Sequence, residues 1–225
     1  MGGRVTALRF QKRAPERVNV YLDGQFAFGL DGIDAARLRV GQYLSDADIE
    51  GLKGADARQK AYDRAVRFLG YRPRSAEEVR RNLARAAVPE DVIEAVVDRL
   101  GQEGYLNDAE FARFWVENRN RFRPKGAQAL RSELYQKGLD RVTIDEAVAG
   151  LDPAGGAYEA AQPRAVRLAE LARSDPAAFR QKLGSFLLRR GFDYAAVREV
   201  VARLLREMSA GEEDDPERDE PSSRS

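Results

Sequence analysis

The sequence contains no cysteine and no histidine, and these two absences exclude several classes of protein. Without cysteine the chain has no disulfide, no thiol nucleophile and no thiolate metal ligand, which is typical of a reducing compartment. Without histidine it has no serine–histidine–aspartate triad and no zinc site of the usual kind. We therefore expect a cytoplasmic protein that needs no metal and no cofactor.

Long apolar runs and nucleotide-binding motifs are also missing. No run of about 18 apolar residues predicts a membrane span, and the first residues lack the apolar core of a signal peptide. We find no phosphate-binding loop, no dinucleotide fingerprint and no nucleophile elbow. An enzyme that used only carboxylates would need a deep pocket lined by paired Asp and Glu, which a helical row does not readily provide. We predict a non-enzymatic protein.

The charges are segregated along the chain although the formal net charge is only +1. Residues 1–206 carry 36 basic and 29 acidic side chains, whereas residues 207–225 carry eight acidic and two basic ones. A basic body favours polyanionic partners, and an acidic tail can compete with them internally. The same composition is equally consistent with solvated helix faces that are stabilised by ion pairs one turn apart.

The first 55 residues have the pattern of a small α+β module. Two runs of alternating apolar residues flank Asp23-Gly24, namely Val18, Val20 and Leu22, and then Phe26, Phe28 and Leu30. This pattern predicts a β-hairpin, because a type I′ turn needs positive φ at both central residues. Residues 4–11 are a candidate third strand, and a short helix is expected near residues 33–38. Ser45 and Asp48 have capping-box spacing and predict a helix that ends near Lys53.

From residue 56 onward the chain repeats itself. A shift of 51 residues places Tyr71-Arg72-Pro73-Arg74 on Phe122-Arg123-Pro124-Lys125, and it superimposes the apolar helical positions that follow. A further shift of 53 residues places Lys137-Gly138-Leu139 on Arg190-Gly191-Phe192. Self-similarity at this period indicates tandem units that stack on one another.

Each repeat has the pattern of three helices. In the second repeat Pro124 ends one helix, and Gly138 ends the next in the left-handed conformation that favours glycine. In the first repeat Ala87 stands where Gly138 would be, so the geometry of that turn is open; in the third, Pro163 interrupts or starts a helix. We predict a mainly α protein, with three tandem three-helix repeats in a curved array after the small module. The predicted divisions are residues 1–55, 56–106, 107–153, 154–208 and a disordered acidic tail at 209–225.

Basic residues recur at the same corner of each repeat, beside the N-terminus of the middle helix. Such a corner can receive phosphate or carboxylate groups. The candidates are Arg72 and Arg74 in the first repeat, Arg119, Arg121, Arg123, Lys125, Arg131 and Lys137 in the second, and Arg189 and Arg190 in the third. Alternatively, these residues cap helix ends and keep the protein in solution. We expect Tyr71, Phe122 and Trp115 to be core residues, although Tyr71 and Phe122 could stack on bases.

Several of these motifs together resemble the RecX family. The resemblance is carried by Gly104-Tyr105-Leu106-Asn107-Asp108 with Phe111, by Arg119 and Arg121, by the segment from Gly126 through Glu133-Leu134 to Lys137-Gly138, and by Phe186-Leu187-Leu188-Arg189-Arg190-Gly191-Phe192. It covers about residues 60–206, with the hairpin module similar to an extension found in some members.

The resemblance implies a regulator of the RecA recombinase. Family members lie in the groove of the RecA–single-stranded-DNA filament and inhibit ATP hydrolysis, strand exchange and co-protease activity. The chain would then be a monomer that binds the RecA nucleoprotein filament, with single-stranded DNA as a further candidate partner. The alternative is a stand-alone DNA-binding helical repeat protein, which would bind naked DNA with a steep salt dependence.

Overall fold

The computed structural model describes residues 2–210. It contains the strands β1 (Gly3–Gln11), β2 (Ala14–Leu22), β3 (Gln25–Asp31) and β4 (Tyr43–Leu44). The helices are α1 (Gly32–Ala35), α2 (Asp46–Leu69), α3 (Ala76–Ala84), α4 (Glu90–Gln102), α5 (Asp108–Phe122), α6 (Ala127–Gln136), α7 (Arg141–Val148), α8 (Pro153–Arg167), α9 (Ala169–Ser174), α10 (Pro176–Arg189) and α11 (Tyr194–Ala210). The chain divides into two compact units between Asn107 and Asp108.

The N-terminal sheet is antiparallel with the strand order β3-β2-β1-β4. Asp23 and Gly24 have φ angles of 48° and 86°, which confirms the predicted type I′ requirement at the β2–β3 turn. The alternation fails at Phe26, which was expected on the same face as Phe28 but is exposed. A register shift between Val20 and Tyr21 turns Phe26 to the other face, where its ring packs edge-on against Tyr21.

Helix α2 is longer than the sequence predicted. The Ser45–Asp48 capping box is present, but the helix continues to Leu69 instead of ending near Lys53. Its N-terminal half packs Ile49 into the core of the sheet, and its C-terminal half packs Ala61 into the core of the first helical repeat. The helix persists through two glycines because both halves bury apolar side chains, so it spans the expected division at residue 55.

The first helical repeat consists of the end of α2 with α3 and α4. Its fully buried side chains include Val79, Leu83 and Leu100. Ala87 has a φ of 55° in the turn between α3 and α4, which is the left-handed conformation that Gly138 adopts at the matching position in the second repeat with a φ of 83°. The turn is therefore conserved in shape although an alanine replaces the glycine, at a cost of about 1 kcal/mol for its Cβ.

Helices α5, α6 and α7 form the second repeat, whose core contains Phe111, Leu130 and Leu134. Trp115 packs against this core and is half-buried. Two aromatic predictions were wrong: Tyr71 is 84% exposed and Phe122 is 67% exposed. Each lies at or just past a helix end, where the chain turns away before its ring can reach the core.

The third repeat is built from α8 to α11. Pro163 lies inside α8, which continues to Arg167, and Pro176 opens α10 at the first position with Asp175 as its cap. Phe179, Leu183 and Leu187 are fully buried in its core. Helix α11 includes residues 209 and 210, which were predicted to belong to the tail. The rest of that predicted tail lies outside the described residues.

Candidate nucleic-acid interface

A concave surface between the second and third repeats gathers five arginines. Arg121 and Arg123 come from the end of α5 and the turn after it, Arg164 and Arg167 from α8, and Arg190 from the end of α10. Phe122, Phe186 and a single carboxylate, that of Glu159, also line this surface. The cavity has a volume of about 690 Å³. We call it the arginine pocket.

Two glycines hold the wall of the pocket in place. The N–H of Gly126 donates to the carbonyl of Arg190 at 2.9 Å, and the N–H of Gln128 donates to the carbonyl of Gly191 at 3.3 Å. These bonds satisfy the N-terminus of α6, which has no side-chain cap. A Cβ at position 126 would lie 2.0 Å from the carbonyl oxygen of Gly191, and one at 191 would lie 2.4 Å from the nitrogen of Ala129. Only glycine permits this approach of the two repeats.

Aromatic rings orient three of the five guanidinium groups. The Cζ atoms of Arg164 and Arg190 lie 4.9 and 4.8 Å from the centroid of the Phe186 ring. Arg190 also donates from Nη1 to the carbonyl of Pro124 at 3.1 Å, which ties the end of α10 to the turn after α5. Arg121 lies 5.4 Å from the ring centroid of Phe122. Cation–π contacts of this kind restrain an arginine without neutralising it.

The arginine pocket carries uncompensated positive charge. Within residues 2–210, none of its five arginines forms an ion pair with a carboxylate. Arg121, Arg123, Arg164 and Arg167 are exposed, and Arg190 is half-buried. Guanidinium groups that converge on a concave surface attract anions and can bind phosphate or carboxylate groups in a bidentate manner. The pocket is the strongest candidate for an anion-binding surface in the described part of the chain.

Two of the predicted contact residues are instead bound to a carboxylate inside the second repeat. Glu133 accepts hydrogen bonds from Nε1 of Trp115 and Nε of Arg119, both at 2.8 Å, and forms an ion pair with Lys125. Burial alone would raise the pKa of Glu133, but the bonds from Lys125, Arg119 and Trp115 outweigh it and hold that pKa below its ordinary value. Lys137, another predicted contact residue, lies over the ring of Trp115, with its Nζ 4.9 Å from the ring centroid.

The predicted cation Arg131 is paired too, and the matching position of the first repeat has the same pair. Arg131 donates to Asp145 at 2.9 Å, and Arg80 forms the same pair with Glu94 at 2.8 Å, 51 residues earlier. Arg131 and Lys125 also line a second cavity, of about 380 Å³, that contains Asp152 and Asp193. That second cavity therefore has mixed charge.

The remaining predicted residues lie elsewhere. Arg72 forms a two-pronged ion pair with Glu78, at 2.8 and 3.1 Å. The guanidinium of Arg74 stacks on Phe68 at 3.9 Å, and its buried Nε has no hydrogen-bond partner. Arg189 is exposed and does not line the arginine pocket. Of the ten predicted site residues, the structure brings Arg121, Arg123 and Arg190 together in that pocket.

Two residues of the arginine pocket, Arg164 and Arg167, were not predicted from the sequence. They are three residues apart and therefore share a helix face, which is a weak signal by itself. Pro163 obscured the first helix of the third repeat, so the face they belong to was not assigned. Their proximity to Arg121 is decided by the packing of α8 and α10 and by the joint at Gly126.

No described helix has the length and apolarity to cross a membrane. Among residues 2–210 no group of three or more acidic side chains could hold a metal ion. The guanidinium donors and aromatic faces of the arginine pocket are groups that can bind an anion.

Comparison with known proteins gives consistent matches along the chain. A model described as the regulatory protein RecX N-terminal domain matches residues 3–45. Models for the first, second and third three-helix domains of RecX match residues 61–100, 107–148 and 157–201.

Individual relatives and solved structures agree with these models. The regulatory protein RecX of Bacillus velezensis is 33% identical over 88% of this chain and 76% of its own length. The regulatory protein RecX of Bacillus subtilis is 30% identical over 96% of this chain and 81% of its own length. A crystal structure of regulatory protein RecX superimposes with a TM-score of 0.71 at 27% identity, covering 88% of this chain and 98% of that one. The RecX of Lactobacillus salivarius gives a TM-score of 0.60 at 25% identity, with 67% and 97% coverage.

Proposed function

The chain belongs to the RecX family of regulatory proteins, and we propose that it inhibits the RecA recombinase by docking on the filament that RecA forms on single-stranded DNA. Such a protein modulates DNA repair and recombination and catalyses no reaction itself. It acts in the cytoplasm, where that filament assembles, and as a monomer, because tandem repeats in one chain already supply an extended surface.

The assignment of the docking surface rests on one observation. Five arginines converge on one pocket, whereas Arg119, Lys125 and Arg131 of the second repeat form ion pairs with Glu133 and Asp145. An extended nucleoprotein assembly offers phosphate and carboxylate groups in large number, and unpaired guanidinium groups bind both. The arginine pocket is therefore the part of the protein that we expect to contact the filament.

The proposal is tested by RecA-driven ATP hydrolysis on single-stranded DNA. The wild-type protein should slow hydrolysis at substoichiometric amounts. Replacing Arg121 and Arg167 by Glu should weaken inhibition by at least about tenfold, because it converts two attractive charges of the pocket into repulsive ones. The matched control is the double replacement Arg113→Glu with Arg198→Glu, which changes charge equally at two exposed arginines outside the pocket.

Absence of inhibition at equimolar wild-type protein would contradict the proposal. Equal inhibition by the two double variants would retain RecA as the partner but remove the arginine pocket from the contact. A stand-alone DNA-binding protein, the second candidate, would bind DNA tightly without any effect on RecA.

A further inference from the structure

We propose that the arginine pocket binds a short segment of single-stranded DNA, with phosphates on the guanidinium groups and a base stacked on Phe122. The inference rests on the proposed function only for the choice of DNA as the nearby polyanion. It assigns a ligand class to the pocket and individual roles to its residues, including Arg164 and Arg167, which were not predicted from the sequence.

The phosphate side of this site follows from the charges. Arg121, Arg164 and Arg167 are exposed and without carboxylate partners among the described residues. They approach the pocket from two helices, α5 and α8, so a bound strand would meet guanidinium groups on more than one side. Arg190 is anchored by Pro124 and Phe186, and its position is therefore set before a ligand arrives. Preorganised donors lose less entropy on binding.

The base side of the site follows from Phe122. Its ring is 67% exposed and lines the pocket between Arg121 and Arg123. A large apolar side chain in such a position costs free energy in water unless something covers it. Phe186, the other ring in the pocket, has two guanidinium groups at 4.9 and 4.8 Å from its centroid, whereas Phe122 has, among the described residues, only that of Arg121, at 5.4 Å. Phe122 is therefore the ring on which an incoming base can stack.

Single-stranded DNA fits this combination better than the alternatives. The bases of a duplex are stacked on each other and cannot reach a side chain in the pocket, whereas those of a single strand can. An acidic protein surface would use the arginines but would gain nothing from an exposed phenyl ring. Five arginines that lack a carboxylate partner among residues 2–210 lie beside one exposed aromatic ring, and this juxtaposition favours a ligand that is both anionic and aromatic.

The test measures binding of a fluorescein-labelled oligothymidylate of about 15 nucleotides to the full chain by fluorescence anisotropy, without RecA. Phe122→Ala should weaken binding about tenfold and leave the salt dependence unchanged, because stacking involves no counterion release. Arg164→Gln with Arg167→Gln should weaken binding at least about tenfold and lower the log–log salt slope by about 1.4, or 0.7 for each lost phosphate contact. Phe122→Trp should restore or tighten binding.

Arg198→Gln is the matched control, since Arg198 is exposed but lies outside the arginine pocket. This variant should bind the oligonucleotide with an affinity within about twofold of the wild type. Thermal unfolding of each variant separates misfolding from lost contacts. The inference is overturned if Phe122→Ala binds the oligonucleotide as tightly as the wild type does. It is also overturned if a poly-glutamate peptide displaces the oligonucleotide equally well from the wild type and from Phe122→Ala. RecA inhibition that persists without oligonucleotide binding would sink this inference alone, whereas binding without any effect on RecA would sink the proposed function.

Discussion

At the scale of single residues, identical cations acquire different roles from the groups around them. Arg72 and Arg123 occupy matching positions in the first two repeats. Arg72 is held by Glu78, but the position that matches Glu78 in the second repeat is Ala129, so Arg123 has no such partner. One arginine therefore stabilises a turn while its counterpart faces the arginine pocket.

Glu133 provides a test of the structural role that the geometry gives to Arg119 and Lys125. Its side chain is 18% exposed and accepts bonds from three donors. Glu133→Gln should lower the free energy of unfolding at pH 7 by about 1–3 kcal/mol, because two half-buried cations lose their counter-charge. The matched control is Glu117→Gln on the exposed side of α5, which should change stability by less than about 0.5 kcal/mol. Urea unfolding monitored by circular dichroism measures both.

The stabilisation by Glu133 should also depend on pH. Because the pKa of Glu133 is lower in the folded protein than in the unfolded chain, the stabilisation is complete above the unfolded value of about 4.3. It is lost as the pH falls from there through the folded pKa. The difference in stability between wild type and Glu133→Gln should therefore shrink in that acidic range, and a difference that stays constant there would refute the assignment.

At the scale of elements, the second and third repeats meet in part through their backbones. The N-terminus of α6 is satisfied by carbonyl groups of the turn between α10 and α11, where Gly126 and Gly191 come into contact. Helix α2 performs a comparable role in the first compact unit, since it contributes to two apolar cores. In both cases a joint between modules is part of the folded core.

Gly126→Ala tests the joint beside the arginine pocket. A Cβ there would lie 2.0 Å from the carbonyl of Gly191, and we expect a loss of about 3 kcal/mol of stability. Gly184→Ala is the control, because its Cβ would meet only Val197 at an ordinary 3.7 Å within α10. That substitution should stabilise the protein by about 0.5–1 kcal/mol. Chemical denaturation distinguishes the two, and equal effects would show that the approach of the two glycines does not matter.

At the scale of the whole molecule, the distribution of charge matters more than the net charge. Residues 211–225 hold seven acidic and two basic side chains, and the remainder of the chain is basic. An acidic segment competes with other polyanions for a basic surface of the same chain.

Removal of residues 211–225 should therefore raise the affinity for oligothymidylate at least about threefold at low salt, with the gain fading at high ionic strength. The deletion begins after Ala210 so that it removes no contact of the folded part, in which Met208 packs on the core and the Ser209 hydroxyl donates to the carbonyl of Leu205. A full-length variant with amides in place of the seven carboxylates should show the same gain. Anisotropy titrations over a range of salt concentrations measure the effect, and no gain in either variant would contradict it.

Most of the fold was predictable from local patterns. Asp23-Gly24 predicts its turn because few other dipeptides accept two positive φ angles, and Gly138 predicts a helix end for the same reason. The three-fold repetition of apolar positions likewise indicates three similar helical units. The end of α2 was not predictable, because nothing in a nine-residue capping segment reveals that a second core holds the same helix.

The sequence by itself determined the helical repeats, the hairpin, the absence of thiol and imidazole chemistry, and an excess of cations in the body. Those properties follow from spacing and composition, which act over a few residues. Only the tertiary structure decided which cations are neutralised. Arg119 meets Glu133 across 14 positions, whereas Arg121 and Arg190 come to one pocket from 69 positions apart. Pairing of charges depends on distance in space, and packing between helices sets that distance.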